Sequence, residues 1–150
     1  MKTAALLVAL AMLPLAANAG NDDRIQCDPA GSQAGINACA GAEFGAADAE
    51  LNRTWKEIQA RYADQPLFLE RLVTAQRAWL AFRDAELQAM YPLAPGERAN
   101  IVYGSSFGMC ESGFKAELTR QRTAQLKRWL DGAEEGDICS GSVRIESLLP

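Results

Sequence analysis

The chain of 150 residues contains no histidine. That absence removes Ser-His-Asp and Cys-His nucleophile systems, histidine acid–base chemistry and every histidine-containing metal site. Basic residues are too few for a nucleic-acid binder: 15 Lys and Arg stand against 19 Asp and Glu, giving a formal charge of −4 where phosphate-backbone binding calls for a basic excess. Valine, isoleucine and threonine alternate nowhere for longer than Val143-Arg144-Ile145, so no sheet is expected. Aromatics make up only 7%, but hydrophobic residues reach 49% and charged ones 23%. That is enough for one packed domain and excludes a collagen-like, low-complexity or disordered chain.

The one long apolar run, Ala4 to Ala16, falls short of the roughly 20 residues a spanning helix needs. Lys2 precedes it and Ala17-Asn18-Ala19 follows, which is the pattern of a cleaved export signal over residues 1–19. No cysteine follows directly, so no lipid anchor is expected. The mature chain then begins at Gly20, in the periplasm or outside, with no membrane anchor after cleavage.

All four cysteines lie beyond the leader. An even count in an exported chain favours two disulfides. A zinc site made of the four thiolates is disfavoured, because Cys27, Cys39, Cys110 and Cys139 contain no closely spaced cysteine pair of the zinc-knuckle kind. Neither metal nor cofactor is therefore expected. Three pairings are possible. The preferred one joins Cys27 to Cys39, stapling an N-terminal arm to the first helix, and Cys110 to Cys139, fastening a C-terminal tail to the last.

Residues 20–31 read as a turn-rich arm. From Ser32 to Tyr62 the stripe Ala47, Leu51, Trp55, Ile58 and Tyr62 has helical spacing, and Gly41 and Gly45 predict a kink or break. Asp64-Gln65-Pro66 stops one helix and starts another, since proline suits the first turn. The second helix runs to Met90 with the seam Leu69, Leu72, Gln76, Trp79, Arg83, Leu87 and Met90. Tyr91 to Ser106 reads as a long loop, and such loops are often functional. The third helix spans Cys110 to Asp131, with Phe114, Leu118, Leu126 and Trp129 inward and Gly132 as its stop. Residues 132–150 form a tail. The expected fold is all-α: an antiparallel bundle of three main helices, 32–131, with a disulfide-pinned arm and tail.

Gln76 and Arg83 share the apolar face of the second helix, and a buried guanidinium is costly unless paired. Asp48 and Asn52 on the first helix, Asp84 beside Arg83, and Thr119 and Arg122 on the third are the candidate partners. The favoured reading is a structural polar layer that fixes helix register. A ligand or catalytic site built on Asp48, Arg83 and Asp84 is the alternative. Asp84 and Glu86 are two residues apart on a helix and diverge, which counts against a hydrolytic carboxylate pair. Trp55, Trp79 and Trp129 have core spacing and read as packing.

Several segments together carry a resemblance. Asn37-x-Cys39, Ala47-Asp48-Ala49-Glu50-Leu51-Asn52, Gln76-Arg77-Ala78-Trp79-x-x-Phe82-Arg83-Asp84-Ala85-Glu86 and Leu118-Thr119-x-x-Arg122-x-x-x-Leu126 resemble the LprI-type lysozyme-inhibitor domain. The likeness covers roughly Cys27 to Leu130. It implies a helical fold and a small exported bacterial protein that binds rather than catalyses, in the best-known case by inhibiting lysozyme. One departure is that the family's cysteines after the FRDAE segment and before the Leu-Thr pair are replaced here by Leu87 and Phe114. Cys110–Cys139 would compensate for that loss. The other departure is the missing lipid-anchor cysteine.

Two functions follow as expectations. An acidic chain steers a cationic lysozyme toward itself, and a loop must then occlude the glycosidase cleft. Tyr103, Ser105, Ser106 and Phe107 in the segment 91–109 are the candidate contacts. The alternative is an interaction module for another envelope protein that never meets lysozyme.

Overall fold

The computed structural model describes residues 26–145. The expected leader and the start at Gly20 lie outside the described residues. Four helices follow one another: α1 (Gln33–Arg61), α2 (Pro66–Met90), α3 (Ala99–Val102) and α4 (Phe107–Asp131). Among the described residues there is no strand, and the tail makes a single bridge, Ala133 with Ile145. The fold is the expected all-α bundle.

α1 begins at Ser32, whose hydroxyl accepts the Gly35 N–H at 3.3 Å, a side-chain N-cap. It then runs through Gly41 and Gly45 as one helix, so the expected break is absent. A Cβ at either glycine would meet nothing within 4 Å. The glycines therefore cost local helix propensity, about 1 kcal/mol each, without ending the helix. α2 has the predicted bounds, with Pro66 in its first turn. α4 starts one turn earlier than expected and ends at Gly132, whose φ of 88° suits glycine.

Successive long helices are antiparallel, so α1 and α4 run parallel. At their N-terminal ends Asn37 binds Ser105 and Met109. At their C-terminal ends Arg61 donates to the Leu130 carbonyl and Tyr62 to that of Trp129. These two helices form the closest packed pair. Their buried faces are built from small residues, Gly35, Ala40, Ala47 and Thr54 against Ala116, Thr119 and Thr123, which let the backbones approach. The apolar core lies toward the C-terminal ends, where Leu51, Ile58, Tyr62, Leu72, Leu126 and Trp129 cluster with Phe68, Leu69, Trp55 and Trp79 against them. Within α2 only Leu72 is buried. Its remaining seam residues are half-exposed, and Met90 faces solvent.

One disulfide is present, Cys27–Cys39, and it ties the arm to α1 as expected. The expected Cys110–Cys139 bridge is a correction: both residues are free and exposed. Cys110 lies in the first turn of α4, whereas Cys139 lines a cavity with Arg128, Trp129 and Gly132 at its far end. A rise of 1.5 Å per residue separates those ends by about 30 Å, and a disulfide spans Cα atoms at most about 7 Å apart. The tail is held without a covalent bond. Tyr62 Oη accepts the Arg144 N–H at 3.1 Å, Arg144 pairs with Asp64, and its guanidinium lies 4.8 Å from the Tyr62 ring centre.

Candidate functional site

The parallel pairing of α1 and α4 gathers the arm, the disulfide and the 91–106 connection at one end of the bundle. Asn37 is the clasp. Its Nδ2 donates to the Ser105 carbonyl at 2.9 Å, and its Oδ1 accepts from the Met109 N–H at 3.2 Å and from Gln33 Nε2 at 2.9 Å. Gly108 passes so close that a Cβ there would meet the Asn37 amide at 3.2 Å. This is why α4 can begin at Phe107, one turn before the position its sequence suggests.

The connection is braced rather than loose. Tyr91, Tyr103 and Phe107 form a triad with ring centres 5.3 to 5.9 Å apart, two pairs edge-on and one stacked. Tyr103 donates its hydroxyl to the Pro92 carbonyl at 2.6 Å, and Ala94 N–H donates to Glu97 at 2.7 Å. Burial raises the Tyr91 pKa, and the neighbouring Cys110, Glu111 and Tyr103 raise it further. Of the candidate contacts, Tyr103 and Phe107 are thus half-buried supports, Ser105 offers its carbonyl to Asn37, and Ser106 precedes α4 without a side-chain capping bond.

What this brace presents outward is apolar. The short helix α3 leaves Ile101 66% and Val102 46% exposed, and Met90 and Leu93 lie open nearby in the chain. Leu93 also lines a groove of about 410 Å³, with Asp84, Leu87, Tyr91, Phe107, Glu111 and Lys115 among others. Ile101 and Val102 were not singled out by the sequence. The signal available was an adjacent branched apolar pair inside a Pro- and Gly-containing connection, where such residues have no core to serve.

The polar seam divides. Gln76 on α2 accepts from Arg122 Nε on α4 at 2.9 Å, and Arg122 Nη1 reaches Gln125 at 3.3 Å. Arg83 and Arg122 both lie against Trp79, 5.4 and 6.0 Å from its ring centre. Arg83 Nε and Nη2 turn to Asp84 at 3.2 and 3.1 Å. Asp48 instead accepts from Asn52, one turn along α1, at 2.9 Å. Thr119 is buried with its hydroxyl unpartnered. Asp48 and Asp84 are thus engaged by different partners, on α1 and α2 respectively.

The described residues form a helical bundle whose first and last long helices pair in parallel and whose 91–106 connection is ordered, with an apolar tip. The comparisons specify which kind. A family model described as "Lysozyme inhibitor LprI" matches residues 26–126. The chain belongs to the LprI lysozyme-inhibitor family. It is also 39% identical over 122 residues to an uncharacterised protein of Rhizobium meliloti (strain 1021), covering 72% of this chain and 81% of that one. No solved structure matches.

Proposed function

We propose that the protein is an exported, periplasmic inhibitor that binds a lysozyme and occludes its glycosidase cleft with the 91–106 connection. The observation that carries this reading is the exposed Ile101–Val102 pair on a braced support. Apolar side chains in water on an ordered backbone contribute contact area at little entropic cost on binding. The aromatic triad then holds the tip, while Ser105, Ser106 and the groove beside Glu111 offer polar contacts at its rim. The net charge of −4 favours encounter with a cationic enzyme and makes the association rate fall as salt rises.

The test is hydrolysis of a peptidoglycan suspension by lysozymes of several classes, with the purified chain added. Inhibition by the wild type and its loss in the double variant Ile101→Asp, Val102→Asp, at unchanged Tm, is the expected result. Full inhibition by that variant moves the contact elsewhere. Failure of the wild type against every lysozyme overturns the reading and leaves an envelope-protein interaction module in its place.

A further inference from the structure

The groove that Leu93 lines lies between the second half of α2 and the first half of α4, and its lining has two chemistries. Leu87, Tyr91, Leu93 and Phe107 supply apolar surface, with the Tyr91 and Phe107 rings edge-on and 5.3 Å apart. Asp84 from α2 and Glu111 from α4 each bring a carboxylate to the same space of about 410 Å³. Each has one oxygen engaged. Asp84 Oδ1 accepts both bonds from Arg83, and Glu111 Oε1 accepts from Lys115 at 2.7 Å. Asp84 Oδ2 and Glu111 Oε2 take no bond among the described residues. The Asp84 side chain is 58% exposed, whereas that of Arg83 is 14% exposed and lies against Trp79. Among the described residues Lys115 is the one cation in the lining, and its ammonium lies 5.9 Å from the Phe44 ring on α1. The groove thus sets unengaged acceptor oxygens beside apolar and aromatic surface.

We propose that this groove receives one arginine or lysine side chain of the protein partner, its aliphatic stem against Leu87, Leu93 and the two rings and its cationic head at Asp84 and Glu111. Long basic side chains lay their methylenes on apolar surface while keeping the charge at a polar edge, and a cation gains further from a neighbouring aromatic face. An apolar side chain would cover the two carboxylates without pairing them, and an acidic one would meet them as like charges. The net charge of −4 acts in the same direction at longer range. The inference rests on the lysozyme reading for its partner and adds the residue type that the groove takes.

Nitrogen-labelled protein is titrated with terminally blocked tripeptides whose central residue, between two glycines, is arginine, lysine, citrulline or norleucine. The expected result is saturable movement of backbone amide signals within 84–93 and 107–115 with arginine or lysine, and none with the two uncharged side chains. Asp84→Asn and Glu111→Gln, at unchanged Tm, should each weaken that binding about tenfold, the scale of one charge-assisted bond. Asp48→Asn, a carboxylate of α1 outside the groove, should leave it as in the wild type. Norleucine binding as tightly as arginine assigns an apolar occupant and overturns the proposal. So does the absence of saturable movement, or its survival in the double variant Asp84→Asn, Glu111→Gln. Lysozyme assays separate the two readings. Peptide binding without inhibition of any lysozyme supports the groove and overturns the lysozyme reading alone. Inhibition that is equal in the wild type and the double variant keeps the lysozyme reading and overturns the groove.

Discussion

Helix α4 has two neighbours and treats them differently. Toward α1 it presents Ala116, Thr119 and Thr123, small side chains that allow close backbone contact over most of both helices. Toward α2 it presents Arg122, which reaches across to Gln76 and lies against Trp79. Along its middle the first interface is close packing of small side chains, whereas the middle of the second is a directional bond between long side chains, with Leu72 and Phe68 joining the apolar core nearer the start of α2. The first tolerates no added volume. The second tolerates movement but not the loss of an acceptor.

The apolar side should break hardest. Ile58→Ala empties a fully buried position in the core cluster and is expected to cost about 2–5 kcal/mol, read from chemical denaturation. Ala116→Leu sharpens the contrast, because it adds volume at a fully buried small residue of α4. About 3 kcal/mol is expected, the upper part of the range for overpacking, and a cost near zero would mean the pair is looser than described. On the α2 side Gln76→Leu removes the acceptor of Arg122 Nε and should cost about 1–2 kcal/mol, with a larger change in hydrogen exchange of α2 than of α1. Asp48→Ala touches only the Asn52 amide at the surface and is expected within about 0.5 kcal/mol of wild type. The smallest effect belongs to the free thiols. Alkylating Cys110 and Cys139 should leave Tm unchanged, and intact mass should show two hydrogens lost through Cys27–Cys39, not four.

The same contrast explains what the sequence could disclose. The bounds of α2 follow from Pro66 and a seam of regular spacing, both local signals. Buried Leu51, Ile58 and Tyr62 are equally local, being one stripe at helical period. The start of α4 was hidden, because Phe107-Gly108-Met109 resembles a loop until Asn37, some 70 residues earlier, bonds to it. The partner of the seam was hidden for the same reason. Gln76 and Arg83 lie on the right face, but the helix opposite them is α4, so Asp48 on α1 plays no part with Arg83. The pairing of Cys110 with Cys139 failed because residues flanking one helix are held apart by its whole length. The candidate site was legible as a segment but not as a surface. Its aromatic residues were expected to reach outward, whereas the physical need to shield three rings from water turned them into the support and left Ile101 and Val102 outside.

The clasp made by Asn37 has a kinetic side. Its bonds to Ser105 and Met109, like those of Arg61 and Tyr62 to the end of α4, join groups 67 to 72 positions apart in the chain. A helical hairpin closes its interface as soon as the second helix forms. Here the tightest interface joins the first long helix to the last, and the loop to be closed includes all of α2. Folding rates fall as the mean sequence separation of contacts grows, so this bundle should fold more slowly than a helical hairpin of equal size. A nascent chain ending before Phe107 lacks the surface on which α1 closes, and its small-residue stripe stays in water until the final helix is in place.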